Sequence, residues 1–425
     1  MDETHNPDLK SWIEVNSDSH FPIQNLPFGV FRPISGGDLH VCTIIGDFVI
    51  DLSILDSNGF FSNSNLQDTL VFDEPTLNAF MSLGRASWKE TRLILSNLFS
   101  EDNSELRDSK IRGDVLFHIS DVEMVLPVDV GDYTDFYSSK EHATNVGKMF
   151  RGEENALMPN WLHLPVAYHG RSSSIVVSGT DIKRPSGQML TKDSTPSFGS
   201  SNRLDFELEM GALVGPGNTL GNTISTQEAE NHIFGLVLVN DWSARDIQKW
   251  EYQPLGPFLG KSFATSISPW VITLEALEPF RCSGPKQDPK PLPYLNTSGK
   301  NSYDINLEVS LQTANSDNTD VICNTNFKHL YWSMTQQLAH HTVNGCNLRT
   351  GDLLASGTIS GPSSDSYGSL LELSWNGTKP INLSNNEKRT FLDDYDSISI
   401  TGWCQNDSYR VGFGAVSGQI TPSDE

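Results

Sequence analysis

Disulfide-forming patterns are missing from this chain: its five cysteines, at 42, 282, 323, 346 and 404, are odd in number and contain no C-x-x-C spacing. That pattern points to neither a disulfide framework nor a zinc cluster, and reduced, mostly structural thiols are expected. Long apolar runs are missing too, none approaching the ~18 residues of a membrane-spanning helix. The opening Met1–Asp8 has neither the basic flank nor the apolar stretch of a secretory signal, so a soluble, cytoplasmic chain without a membrane partner is expected. Positive charge is scarce: 29 Lys and Arg stand against 53 Asp and Glu, for a formal net charge of −24, and no Lys/Arg run exceeds two residues. Such a surface repels a phosphate backbone, which argues against a nucleic-acid partner and leaves solubility as the reading of the bulk acidity. Internal repeats and low-complexity tracts are also absent.

What is present is core-forming material. With 425 residues, 37% of them hydrophobic, nine Trp and 21 Phe, the chain can build one large domain and a smaller one. Residues 1–125 read as a separate unit: a hairpin over Val41–Leu52 turning at Gly46-Asp47, then two helices divided by Gly84, the second burying Trp88, Leu95 and Leu98. The polar stretch Glu101–Asp114 marks the boundary. Residues 126–425 read as β-rich, with short runs at Ser174–Val177, Glu207–Val214, Gly235–Val239, Trp270–Leu274, Ile305–Leu311, Leu370–Trp375, Ser397–Gly402 and Tyr409–Phe413. One helix is predicted over Phe327–His341. Its adjacent His340 and His341 do not face one another on a helix, so they read as structural.

The most informative segment is Leu204-Asp205-Phe206-Glu207-Leu208-Glu209-Met210, where acids alternate with apolar residues. On a strand, Asp205, Glu207 and Glu209 share one face. Neighbouring anions repel, and partial burial without a partner is costly. A hard divalent cation removes both problems. A wet, exposed acidic face is the other reading of the same pattern.

Four further segments concentrate reactive side chains. Gly131–Ser139 joins acids and phenols to the nearby His142. Met149–Gly152 and Tyr168–Ser172 add cations and another phenol. Asn240–Tyr252 follows an apolar strand and so places Asp241 at a strand end. Pro257–Thr265 carries Lys261 in an apolar, glycine-bearing loop. Its Gly-Lys-Ser is not a phosphate loop, because the required earlier glycine is Leu255. Lys261 reads instead as a cation for a carboxylate cluster or a developing anion. Taken singly, Tyr137, Tyr168 and Tyr252 also read as packing aromatics, Arg151 as a surface ion pair, Glu372 as a salt bridge on a half-buried strand and His142 as an ordinary polar histidine. Trp242 and Trp250 read as packing.

Together these segments resemble the fumarylacetoacetate hydrolase family in its fumarylacetoacetase branch, through GDYTDFYSS, MFRG, NWLHLP, LDFELEMG, NDWSARDIQ, PLGPFLGKSF, HHTVNGCNLR and GDLLASGTISG, spanning Phe21 to Gly414. The resemblance implies a mainly β (α+β) fold: a small N-terminal SH3-like barrel, a large C-terminal mixed β-roll, and a homodimer. It implies a calcium or magnesium ion held by Asp135, Glu207, Glu209 and Asp241, with Asp205 outside that set, and a second ion near Asp241, Lys261 and Thr265. Where the family usually carries Gly this chain has Ala264, which puts the backbone beside the second ion in question.

For chemistry, the resemblance implies hydrolysis of a carbon–carbon bond in a diketo acid. His142 would be the general base, Glu372 would orient it, and Arg245, Gln248 and Lys261 would meet growing negative charge. Tyr137, Arg151, Tyr168, Gln248, Tyr252 and Thr358 would hold the substrate. Two alternatives share some of these features. One is a hydrolase, decarboxylase or hydratase of the same fold acting on another oxo acid. The other is a non-enzymatic calcium-binding module, which leaves His142, Arg245 and Lys261 unexplained.

Overall fold

The computed structural model describes residues 1–424. At its centre is the antiparallel pair Leu208–Val214 and Ile233–Asp241, in which every residue is buried. Around this pair runs an eight-stranded sheet in the spatial order Ala167–His169, Tyr133–Phe136, Leu353–Ala355, Leu208–Val214, Ile233–Asp241, Thr265–Ile267, Ile175–Val177, with Ile272–Thr273 also pairing to Ile233–Asp241. A strand sends alternate side chains to opposite faces. Leu236 and Leu238 therefore enter one core with Leu208 and Met210, while Val237 and Val239 enter another, which Phe234 joins beyond the register shift at Leu213/Val214. The first core is completed by Leu307, Val309, Ile398, Ile400 and Val416 of a second sheet, ordered Thr319–Asn326, Asn306–Gln312, Ser397–Gln405, Arg410–Thr421, Ile182–Lys183. The second core is completed by Phe28, Phe80, Trp88 and Leu95 from the N-terminal part of the chain.

That N-terminal part is a five-stranded antiparallel sheet with helices packed on it. The hairpin His40–Ile45 and Phe48–Asp51 turns at Gly46-Asp47, and the helices Asn78–Ser82 and Arg85–Leu98 flank Gly84, as the sequence leads one to expect. Trp88, Leu95 and Leu98 are buried. Beyond the polar stretch Glu101–Asp114 the chain returns to the same sheet, adding Leu116–His118 and Val122–Met124 at its two edges. The mainly β, mixed α+β class is thus the one observed.

Three local expectations are corrected. The alternating acidic segment is not one half-wet strand: Leu204–Asp205 and Leu208–Val214 are separate strands, and Asp205, Glu207 and Glu209 are all buried. Alternation here sorts side chains between two interiors, not between core and water. The helix predicted over Phe327–His341 is a short 3-10 turn, Phe327–His329, followed by a helix Met334–Thr342. Ser333 starts the latter with a capping box to Gln336, which satisfies orphan backbone donors at that point. Finally, the predicted strand Leu370–Trp375 is a helix, Leu370–Leu373. The Asp205 carboxylate accepts hydrogen bonds from the Leu370 and Leu371 amides at 2.7 and 2.9 Å, a cap supplied from 165 residues away.

Phe234 locks the central pair to the N-terminal part, its ring centroid lying 5.1 Å from Trp88, 5.7 Å from Phe80 and 5.8 Å from Phe28. A Phe234→Ala protein should lose about 3–5 kcal/mol in urea unfolding, through the cavity left in a core that cannot collapse fully.

Candidate active site

The ends of three strands of the central sheet build the acidic centre. Asp135 lies on Tyr133–Phe136, Asp241 ends Ile233–Asp241, and Glu207 and Glu209 flank the start of Leu208–Val214. The register pairs Asp135 with Ala355 and Glu209 with Val239, so the strand Leu353–Ala355 lies between the one that carries Asp135 and the adjacent pair that carries Glu209 and Asp241. Each of the four acids offers an oxygen, and these oxygens lie within 4.8 Å of one another. Close approach of the loop after Leu353–Ala355 requires glycine at 357, where φ is +76° and a Cβ would stand 2.2 Å from the Phe136 carbonyl oxygen. The Gly357 amide donates to Glu209 Oε2 at 3.1 Å.

Two cations enter the cluster. The Lys261 ammonium bonds both Glu207 and Asp241. Arg245 reaches Asp205 through Nε at 2.8 Å and Glu207 through Nη1 at 2.5 Å. They do not neutralise five buried carboxylates. Burial, then the neighbouring Asp241 charge, pushes the Asp135 carboxyl well above its ordinary range, and burial with Asp135 and Asp241 does the same to Glu209. Burial also acts on Glu207, but Arg245, Lys261 and His142 outweigh it and hold that carboxylate low. Burial alone would discharge Lys261, yet Asp241 and Glu207 keep it an ammonium.

Asp135 Oδ1 and Glu209 Oε1 are buried without a hydrogen-bond partner. All-oxygen donors, excess negative charge and two orphaned lone-pair sites fit a hard divalent cation, which Asp135, Glu207, Glu209 and Asp241 would hold. Thr265 Oγ1 donates to Asp241 Oδ1 at 2.9 Å, and the Tyr168 hydroxyl donates to Asp241 Oδ2 at 3.2 Å. Ala264 is buried and lies outside the left-handed region, so its methyl group brings no backbone strain beside Asp241.

His142 sits in the first turn of the helix Lys140–Arg151, whose N-cap Ser139 accepts the His142 amide. Its Nδ1 is 2.7 Å from Glu372 Oε2. The same carboxylate accepts from Ser360 Oγ and Ser369 Oγ at 2.9 Å each on Oε2, and from Asn145 Nδ2 at 2.9 Å on Oε1. Burial would raise the pKa of Glu372, but His142 and these donors bring it below the usual value. An ionised Glu372 holds the proton of His142 on Nδ1, leaving Nε2 as the acceptor.

Both assemblies border one cavity of about 460 Å³, a size that suits a small ligand. Tyr137, His142, Arg151, Tyr168, Arg245, Gln248, Tyr252, Lys261 and Thr358, all singled out from the sequence, line it with Asp135, Glu207 and Glu209. Glu372 stands behind His142, and Asp241 and Thr265 lie behind Lys261. Arg151 is not in a surface ion pair: it donates to the carbonyls of Asn155 and Ala156 at 3.1 and 2.8 Å. Tyr137 packs edge-on against His142, with centroids 5.2 Å apart. Thr358 Oγ1 is buried without a partner, and Gln248 accepts from Arg245 Nη1 at 3.4 Å. Trp242 is core, bonded to Ser266, whereas Trp250 is 39% exposed. His340 and His341 bond Tyr294 and Thr134, away from the acids.

Sequence reading missed Asn145, Ser360, Ser369 and the anchoring role of Asp205. Asn145 left a signal, since it follows His142 by one helical turn and so shares its face, and so did Ser369, whose Ser-x-x-Glu spacing to Glu372 is a helix-start pattern.

A cation bound to these acids stabilises the folded chain. Adding calcium or magnesium at about 100 times its Kd should raise stability by roughly 2.7 kcal/mol, read as a higher melting temperature, and a chelator should reverse the shift. Replacing both Asp135 and Glu209 by their amides should abolish it.

The comparisons with known proteins agree with one another. A family model described as Fumarylacetoacetate (FAA) hydrolase C-terminal matches residues 132–421, and one described as Fumarylacetoacetase N-terminal matches residues 24–127. The chain is 58% identical over 417 residues to a fumarylacetoacetase of Arabidopsis thaliana, covering 98% of this chain and 99% of that protein. It is 56% identical over 418 residues to a fumarylacetoacetase of Homo sapiens, covering 97% and 99%. Solved structures share the fold at low identity. A fumarylacetoacetate hydrolase from psychrophilic Exiguobacterium antarcticum superposes with a TM-score of 0.51 at 16% identity, over 93% of this chain and 99% of that one. A putative HpcE protein from Mycobacterium smegmatis does so with a TM-score of 0.53 at 16% identity, over the same shares. By family models that span both parts of the chain and relatives more than half identical along nearly its whole length, the chain belongs to the fumarylacetoacetate hydrolase family.

Proposed function

We propose that this chain hydrolyses the carbon–carbon bond between the two halves of 4-fumarylacetoacetate, giving fumarate and acetoacetate, the last step of tyrosine and phenylalanine degradation. The observation that carries this reading is the pairing, across one cavity, of a Glu372-oriented His142 with the four-carboxylate cluster and its two cations. The names of the relatives, identical to this chain at more than half of their positions, support it.

In this mechanism His142 Nε2 takes a proton from water, and the water oxygen bonds to the ketone carbon of the fumaryl half. Glu372 steadies the imidazolium that results. The carbon–carbon bond then breaks, its electron pair goes to the acetoacetyl half as an enolate, and a proton returned from His142 completes acetoacetate. Arg245, Gln248 and Lys261 offer donors where that negative charge grows. Arg151, Tyr137, Tyr168, Tyr252 and Thr358 position the carboxylate and oxo groups. A divalent cation on Asp135, Glu207, Glu209 and Asp241 supplies Lewis-acid polarisation of the diketone.

Calcium or magnesium both suit four carboxylates. A second ion beside Asp241, Lys261 and Thr265, a homodimer, cytoplasmic residence and a division into a barrel domain at 1–125 and a catalytic domain at 126–425 complete the proposal, on the strength of the resemblance. No helix of the described residues is long and apolar enough to cross a membrane.

Incubation with fumarylacetoacetate should remove its ultraviolet absorbance, and chelation should stop the loss until calcium or magnesium is restored. Cleavage of acylpyruvates with none of fumarylacetoacetate would overturn the substrate assignment. His142→Ala should fold, by circular dichroism, without turnover; normal turnover in a folded variant would remove the base assignment. Glu372→Gln should lower kcat by about 10³–10⁴ with little change in KM, because an amide at this position favours the wrong imidazole tautomer.

A further inference from the structure

A second cavity, of about 380 Å³, adjoins the reaction pocket and shares Arg245 and Lys249 with it. Two more cations line this cavity alone, Lys192 and Arg203. Lys192 stands at the turn of a two-stranded hairpin, Ser186–Leu190 with Pro196–Ser200, which lies outside both large sheets. The hairpin is seated on the helix Arg245–Glu251: Gly187 approaches Ile247 so closely that a Cβ would stand 2.8 Å from the isoleucine side chain. Its turn is closed by the Thr191 amide donating to the Thr195 carbonyl at 2.9 Å. Arg203 is fixed by its bond to Asn376 Oδ1 at 2.8 Å and by stacking over Phe391 at 5.2 Å.

Among the described residues, Lys192, Arg203 and Lys249 have no carboxylate partner. The cavity's acid, Asp246, is already engaged, accepting from Ser201 Oγ at 2.6 Å and the Asn202 amide at 2.8 Å. Arg245, which is 8% exposed, keeps Nη2 without a partner. Three cations without a carboxylate partner, Lys192, Arg203 and Lys249, thus gather at this cavity in a chain whose net charge is −24.

We propose that this second cavity is an anion-binding vestibule, in which Lys192 and Arg203 hold a carboxylate of a small dicarboxylate on its way to or from the reaction pocket. The physical need is plain: a strongly acidic protein repels a dianion, and a recessed cluster of unpaired cations reverses the local field and raises the encounter rate. Lys249, lining both cavities, continues the positive path inward, and the free Nη2 of Arg245 stands at the passage. The inference rests on the reaction proposed above, whose substrate and one of whose products are dicarboxylates.

The test compares wild type with Lys192→Gln and the Lys192→Gln/Arg203→Gln double variant, each checked for native circular dichroism and melting. Expected are an unchanged kcat, a kcat/KM lowered by about five- to ten-fold at low ionic strength, a flatter dependence of kcat/KM on salt, and inhibition by fumarate weakened in proportion. Should Arg203→Gln impair folding, Lys192→Glu takes its place and should lower kcat/KM further than Lys192→Gln. A direct readout is the fluorescence of Trp250, which lines the cavity: iodide should quench it more strongly than neutral acrylamide in wild type, with the excess lost in the variants and the signal identified by Trp250→Phe. Wild-type kcat/KM, salt dependence and iodide quenching in folded variants would overturn the vestibule. Absence of fumarylacetoacetate turnover in the wild-type protein itself would overturn the reaction instead.

Discussion

Buried negative charge at one end of the central sheet is the constraint around which this molecule is organised. Asp135, Glu207, Glu209 and Asp241 are brought together where water is excluded, and Lys261 and Arg245 offset only part of their charge. A low dielectric makes an unpaired carboxylate costly, and the structure responds unevenly. Glu207, touching both cations, stays ionised; Asp135 and Glu209, each with an orphaned oxygen, are pushed toward the neutral form. A site strained in this way is poised for a dication, and only rigid strands packed on both faces could hold it against its own repulsion.

Asp205 connects this centre to His142. It shares the acidic segment with Glu207 and Glu209 but anchors Arg245 on one side and caps the helix Leu370–Leu373 on the other. That helix carries Glu372, which holds His142. Arg245, which lines the cavity, and Glu372, which holds His142, are thus both referred to a single buried group. Glu372 is saturated by four donors, so its charge and direction are set before substrate arrives. Such preorganisation is what lets fixed dipoles and charges act on a transition state without reorganising.

Charge is distributed with the same economy outside the site. The excess of acids opposes an anionic ligand, while Lys192, Arg203, Lys249 and Arg245 line the recess beside the pocket. The hairpin bearing Lys192 packs on the helix that bears Arg245 and Gln248, so the recess and the reaction pocket share a wall.

Composition, periodicity and motif spacing determined much by themselves: a mainly β chain whose N-terminal unit holds a hairpin and two helices, Asp241 at a strand end, and reactive side chains concentrated in a few segments. Local rules sufficed there because turns, caps and alternation are written in neighbouring residues. Assigning roles to His142, Glu372, Tyr137 or Arg151 required the family resemblance, since each alone reads equally well as packing or an ion pair. Tertiary structure decided the rest. That both faces of the acidic segment are buried follows from a second sheet and an N-terminal core that no local pattern reveals. That the helix Leu370–Leu373, started by its N-cap Ser369, is also anchored by the Asp205 carboxylate, and that Glu372 is held by His142 and Asn145, follows from contacts across 165 to 230 residues. Hydrogen bonding and desolvation act through space, so the partners that set a group's conformation and charge are read only where the chain has folded back upon itself.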